Sequence, residues 1–208
     1  METSCISASM SDLRYFLVYK PFGCLSQFTR EMPEHQTLAD LFHFPSDVYP
    51  VGRLDADSEG ILLLTNDKTL NDKLLNPVNK HWRTYLVQVE GVPSTSALVP
   101  IEKGVKIKIR KKEHLCLPAK INIIPEPDNL PERFPPVRFR QNIPTSWVKL
   151  SLQEGKNRQV RKMMAAVGFP VLRLVRFSIE NLHLTKQESG RVEEIKGSEL
   201  YKKLKILN

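Results

Sequence analysis

Gly52-Arg53-Leu54-Asp55-Ala56-Asp57-Ser58-Glu59-Gly60-Ile61-Leu62-Leu63-Leu64-Thr65 is the densest stretch of the chain. Ile61–Thr65 is a continuous apolar run of strand length, and such a run reads as a strand buried on both faces. The acidic residues before it read first as a turn, where carboxylates accept local backbone hydrogen bonds. Asp55 stands between a Gly-Arg turn and the apolar strand, so partial burial is expected. A partly buried carboxylate needs a cationic partner, or it keeps its proton. Asp55, Asp57, Glu59 and Gly60 also match the opening of a calcium loop. The match fails further on, where Asn66 stands in place of a bidentate Glu and the intervening positions are Ile and Leu. No second cluster of His, Asp or Glu is seen at ligand spacing, so no metal is expected.

Working outward, Tyr15–Tyr19 is a strand by composition, broken by Lys20-Pro21-Phe22-Gly23. Thr37–Phe42 suggests a short helix, and Asn66 or Asp67 caps another that carries Leu70 and Leu74. Thr84–Val89 and Trp147–Leu152 are further strands. Between them Val105, Ile107 and Ile109 alternate with Lys106, Lys108 and Arg110, a strand with an apolar side and a cationic side. The five prolines of Pro125–Pro136 exclude helix or central strand and leave an extended loop. Lys156–Val167 has a helical apolar face, and Val171–Phe177 and Ile179–Leu184 read as closing strands. The basic end, with Lys202, Lys203 and Lys205, is expected to fray. Strands and helices are interspersed with strand-to-strand turns, which favours α+β with a mixed sheet over a regular βαβ array. Residues 1–12 read as a flexible tail.

The chain has 208 residues, a net charge of +8 and a pI near 9.4, which favours a polyanionic partner: RNA, DNA or an anionic membrane surface. A scattered solvated charge is the plainer alternative. The apolar run at Ile61–Leu64 is far short of the roughly 18–20 residues that span a bilayer, so no membrane helix is expected. Residues 1–12 lack a basic and apolar leader. Cys5, Cys24 and Cys116 are widely spaced, suggesting neither zinc site nor disulfide framework, and a reducing cytoplasm fits. There is no G-x-S-x-G, P-loop or G-x-G-x-x-G, and the histidines are scattered.

A second dense segment is Glu154-Gly155-Lys156-Asn157-Arg158-Gln159-Val160-Arg161-Lys162. Arg158 and Arg161, three apart on one helix, share a face. From Gly155 to Arg176 six basic residues, Lys156, Arg158, Arg161, Lys162, Arg173 and Arg176, meet no acid. A solvated helix face is the plainer reading. With the cationic strand it makes two basic surfaces, and Tyr85 and Trp82 lie beside cations in a way that suits stacking on unpaired bases. Core packing is the plainer reading of each ring, and the favoured one for Trp82.

Lys20-Pro21-x-Gly23, then Gly52-Arg53-Leu54-Asp55 through Asp67, then Tyr85, then Glu154 through Met163, then Leu174-x-Arg176, occur in that order. This resembles the RsuA-type ribosomal RNA pseudouridine synthases over Tyr15–Leu184. Ile107–Lys120 and the short segment before Lys20 look most like the RluE-like branch, which acts on large-subunit (23S) rRNA and lacks the N-terminal RNA-binding domain. Nineteen residues before Lys20 are too few for such a folded unit. The resemblance implies the pseudouridine synthase fold: α+β, a bent mixed, mostly antiparallel sheet with helices packed on one side and a central cleft, in one two-lobed domain over 13–208. It implies a cofactor-free isomerase acting on RNA; a cytoplasmic protein is expected from the cysteines, and a monomer by default. It makes Asp55 catalytic, paired with Arg161; Tyr85 would stack on the uracil, Leu174 line the pocket and Arg53 hold displaced RNA. Lys106, Lys108, Arg110, Lys156, Arg158, Lys162 and Arg176 are then candidate RNA contacts. Two other readings stay open: an RNA-binding assembly protein without chemistry, and a base-flipping enzyme acting on DNA.

Overall fold

The structure, a computed structural model, describes residues 13–138, 140–183, 186 and 188–206; the expected tail at 1–12, Cys5 and Leu184 lie outside them. β1 (Tyr15–Lys20) leads through a long loop, with one 3₁₀ turn at Leu38–Asp40, to β2 (Tyr49–Pro50) and β3 (Glu59–Thr65). Then come α1 (Lys68–Leu75), β4 (Arg83–Glu90), α2 (Thr95–Lys103), β5 (Lys106–Ile109), β6 (Lys112–Leu115), β7 (Lys120–Ile124) and β8 (Thr145–Leu152). α3 (Gln159–Ala166), β9 (Val171–Ile179), β10 (Val192–Glu194) and α4 (Gly197–Leu204) complete the chain.

The α+β expectation holds. The main sheet runs β10-β1-β3-β9-β4-β8-β7, with β2 on β3. Among the described residues, β3–β9 is its parallel pairing and the others are antiparallel. β5 and β6 form a separate hairpin that packs against α3. The helices are not all on one side, as the resemblance had suggested. Tyr85, Val87 and Val89 of β4 face α2 and α3, whereas Leu86, with Val175 of β9, belongs to the core under α1 and α4. A sheet whose central strands are apolar on both faces has to be covered on both. β3, buried at every position, is such a strand, with Ile61 and Leu63 on one core and Leu62 and Leu64 on another.

Other boundaries moved for local reasons. α3 begins at Gln159, three residues later than its apolar pattern suggests, because Arg158 takes a left-handed φ of 52° and caps it. Ile179–Leu182 closes as a single bridge in a turn, not a strand. The C-terminal segment does not fray: Leu200 and Leu204 of α4 are fully buried, and Tyr201 Oη donates to Asp67 Oδ2 at 2.6 Å. The same oxygen accepts from Tyr15 Oη at 2.9 Å, while Asp67 Oδ1 caps α1 through Leu70 N–H. One carboxylate thus ties the first strand, the first helix and the last. The Pro-rich segment is a strap over β9: Arg133 donates to Pro135, Pro136 and Leu172 carbonyls and lies over the Phe22 ring. Trp82 is half-exposed under Lys120 Nζ, outside the core.

β3 and β9 meet over a short register, Glu59 opposite Val175 and Gly60 opposite Arg176. A Cβ on Gly60 would stand 2.3 Å from the Arg176 carbonyl oxygen, and its φ is 99°, so only glycine fits. Beside it Arg173 grips Glu59 with two hydrogen bonds, 2.9 and 2.8 Å, and donates to the Pro131 carbonyl of the strap. Both side chains are buried. Removing one partner of such a pair leaves an uncompensated charge, and Arg173→Met is expected to lower unfolding stability by about 3–5 kcal/mol. Urea denaturation checks this, with Arg173→Met/Glu59→Leu expected to recover a large part. A loss below about 1 kcal/mol in the single variant contradicts it.

Candidate active site

The loop from Val51 to Ser58 is held from below. Ser26 Oγ accepts from Leu54 N–H and donates to the Leu54 carbonyl, at 3.0 and 2.8 Å. Ser58 N–H returns to the Asp55 carbonyl at 3.0 Å. The Ala56 carbonyl accepts from Gly23 N–H at 2.8 Å and from Lys20 Nζ at 3.3 Å. Lys20 is wholly buried, also donates to the Pro21 and Cys24 carbonyls, and burial pulls its ammonium down to about 8. The Lys20-Pro21-Phe22-Gly23 turn is therefore the bracket that fixes the backbone beside Asp55.

Asp55, half-buried, lines a cleft of about 870 Å³, within the ~300–1,000 Å³ of ligand pockets. Tyr85, Leu174 and Arg176 also line it and are 8%, 5% and 5% exposed. The β4–β9 register sets Tyr85 opposite Arg176 and Val87 opposite Leu174, so an aromatic ring, an apolar side chain and a cation share one face. Arg176 donates Nε to the Ile61 carbonyl at 2.8 Å, while its Nη2 is buried without a hydrogen bond. Burial lowers its pKa, and Tyr85 offsets part of that. Arg176, a candidate RNA contact, belongs to the cleft floor.

The expected Asp55–Arg161 pair is replaced by another arrangement. Among the described residues no ion pair within 4.0 Å joins the two. Arg158 clamps Asp57 with two hydrogen bonds, 2.9 and 2.7 Å, and its Nη1 lies 3.9 Å from Asp55 Oδ2. Arg161 donates Nη2 to the Asp57 carbonyl at 2.6 Å and Nη1 to the Val171 carbonyl at 3.2 Å. Its Nε stands 3.3 Å from Asp57 Oδ2, at an angle that makes no hydrogen bond. The cause is the late start of α3: Arg158 turns back from the cap toward the loop, and Arg161 on the first turn reaches the loop backbone. Burial alone would push Asp57 up; the Arg158 hydrogen bonds and the charges of Arg161 and Arg158 reverse this and hold it below its ordinary 3.8.

Arg53 is exposed at the cleft and touches Gln27 Oε1 at 3.3 Å; exposed Lys156 lines the cleft as well. Lys162, half-buried, reaches Asn157 Oδ1 at 3.5 Å. Lys106, Lys108 and Arg110 are exposed on the β5–β6 hairpin and do not line the cleft. Folding also creates a cluster that sequence spacing did not show: donor atoms of His114, Cys116 and Glu154 lie within 4.8 Å of one another. Glu154 is already bonded to Leu117 N–H, Gln159 and His114, and burial pushes the Cys116 thiol up to about 11. These contacts make it a strut for the segment entering α3. Ser26 was missed outright, being 28 residues from its partner. For Asp57 the sequence offers only a turn carboxylate or a calcium ligand, not an arginine clamp.

A sequence model of the RNA pseudouridylate synthase family matches residues 14–166. The chain belongs to this family. Ribosomal large subunit pseudouridine synthase E of Vibrio vulnificus is 46% identical over 194 residues, 93% of this chain and 80% of its own. Ribosomal large subunit pseudouridine synthase B of Bacillus subtilis is 31% identical over 208 residues, 100% of this chain and 78% of its own. A crystal structure of pseudouridylate synthase matches with a TM-score of 0.72 at 26% identity, covering 92% of this chain and 74% of that one. The pseudouridine synthase fold and the resemblance read from the motifs both hold, and the chain is an RNA-modifying isomerase. No helix among the described residues is long and apolar enough to cross a membrane.

The Asp57 clamp carries a pH signature. A carboxylate whose folded pKa is depressed stabilises the fold above its unfolded value and loses that contribution as pH falls through the folded pKa. The urea-midpoint gap between wild type and Asp57→Asn should be constant between about pH 5 and 8 and close below the ordinary value of 3.8. A gap that persists unchanged in acid contradicts the clamp.

Proposed function

We propose that the protein converts one uridine of large-subunit ribosomal RNA to pseudouridine, with Asp55 as the catalytic carboxylate. The observation that carries this is Asp55 on the wall of a cleft floored by Tyr85, Leu174 and Arg176, with a guanidinium 3.9 Å from its carboxylate. The similarity to ribosomal large subunit pseudouridine synthases E and B supports the RNA class. The rearrangement breaks the uracil N1–C1′ bond, turns the base and joins C5 to C1′, with no net redox change. A carboxylate can attack C1′, deprotonate the sugar beside it or stabilise a cationic sugar. Arg158 places a positive charge 3.9 Å from Asp55, and the unused Arg161 Nε–H is a further donor beside the loop. Tyr85 offers the ring for stacking on the uracil, and Leu174 offers apolar contact.

The base must leave its stack to reach this depth, at a cost of a few kcal/mol that phosphate contacts offset. Lys156, Arg158 and Lys162 around the start of α3, and Lys106, Lys108 and Arg110 on the hairpin packed against it, are the proposed contacts, with Arg53 holding the displaced strand. Residues 13–208 then act as one catalytic unit, and the ribosomal substrate puts its action in the cytoplasm.

Asp55→Asn should abolish pseudouridine formation while leaving the melting curve and RNA affinity nearly unchanged. Normal turnover by that variant sinks the assignment. Site-resolved pseudouridine mapping of total RNA, with and without the gene, should show one modified position lost from large-subunit RNA. An unchanged map favours the binding protein without chemistry, and activity on a DNA duplex alone favours the third reading.

A further inference from the structure

Asp57 makes more contacts than capping a turn requires. Its carboxylate takes two N–H groups of Arg158, its Oδ2 lies 3.3 Å from Arg161 Nε, and its carbonyl takes Arg161 Nη2 at 2.6 Å. One residue thus holds two cations, by side chain and by main chain. Both stand near the neighbouring carboxylate two positions earlier, Arg158 at 3.9 Å. Side-chain exposure separates the arginines: Arg158 is 42% exposed and Arg161 only 14%. Arg161 is further pinned to the Val171 carbonyl at the start of β9. Left without Asp57, Arg158 has no second carboxylate to hold it at the cleft wall. It would be free to fold onto Asp55 or to swing out to solvent. With Asp57 present, two carboxylates face two guanidinium groups and the cluster is balanced. Asp55 then feels a cation close by without being locked in a bidentate pair that would occupy both its oxygens.

We infer that Asp57 is a positioning residue for the reaction: it acts through Arg158 and Arg161, fixing where the two guanidinium groups stand relative to Asp55 and leaving the Asp55 oxygens open to the sugar. This rests on Asp55 being the catalytic carboxylate. Misplacing a supporting group by about 1 Å costs on the order of 100-fold in rate. A plain turn residue, by contrast, would act only through the fraction of folded protein.

The test is single-turnover kinetics at saturating RNA, together with KM and a melting curve, on Asp57→Asn, Asp57→Glu and Asp55→Asn. Asp57→Asn, nearly isosteric, should lose roughly 10- to 100-fold in the chemical rate. Its KM should stay within about 3-fold, because the interaction lost is one made to the reacting centre. Asp57→Glu, which keeps the charge, should recover most of the rate. Should Asp57→Asn fail to accumulate as folded protein, Arg158→Gln removes the clamp from its exposed side and should give a rate loss of the same order. A wild-type rate in Asp57→Asn overturns the inference. So does a loss matched by an equal change in folded fraction or KM, or one that Asp57→Glu does not relieve. An inactive Asp55→Asn beside a normal Asp57→Asn sinks this inference alone; an active Asp55→Asn sinks the functional reading beneath it.

Discussion

The short parallel seam between β3 and β9 is the constraint on which the molecule depends. On one side lie β10, β1 and β3; on the other, β9, β4, β8 and β7. Only glycine at position 60 lets the two backbones approach, and the buried Glu59–Arg173 pair fastens them. The loop bearing Asp55 runs straight into β3, and the cleft floor hangs on β9 and its neighbour β4. Closing the seam is therefore what brings a carboxylate over Leu174 and Arg176. The ion pair need not add much net stability by itself, since desolvation consumes a large part of its attraction. Its geometry is what the cleft uses.

Around that seam the charges are arranged in two layers. Deep in the floor, Arg176 is buried beside Tyr85 and held by the Ile61 carbonyl. At the wall, Asp57 shares out two arginines so that Asp55 sees positive charge without surrendering its oxygens. Lys20, buried and donating to three carbonyls, holds the same loop from beneath. Catalytic sites of this kind work by fixed dipoles and charges set before the substrate arrives, and the described contacts give this loop little freedom.

Much of this was legible in the chain. The apolar run after Gly60, the alternation at 105–110 and the pattern of 160–164 gave β3, the hairpin face and α3, because each signal is local and periodic. Asp55, Tyr85 and Leu174 were named from motif order, and all three line the cleft. α2 was overlooked because Pro100 interrupts its pattern, and α4 because a basic C-terminal run looks like a fraying tail until Tyr201 finds Asp67. The Asp55–Arg161 pair was implied by the resemblance, and matching a motif residue by residue does not fix which side chains meet. The choice between Asp55 and Asp57 turns instead on one left-handed residue, Arg158, which redirects the start of the helix.

What the sequence by itself determined is the set of chemical groups and the local elements that carry them: an acidic turn before a buried strand, a basic segment before a helix, and the family to which the chain belongs. Only the tertiary structure decided which arginine meets which carboxylate, that Arg176 lies in the cleft floor, and that Ser26 and Lys20 brace the loop. The physical reason is that hydrogen-bond distances are set to tenths of an ångström by backbone register, caps and packing. Those arise between segments tens of residues apart, where no spacing rule in the chain can reach.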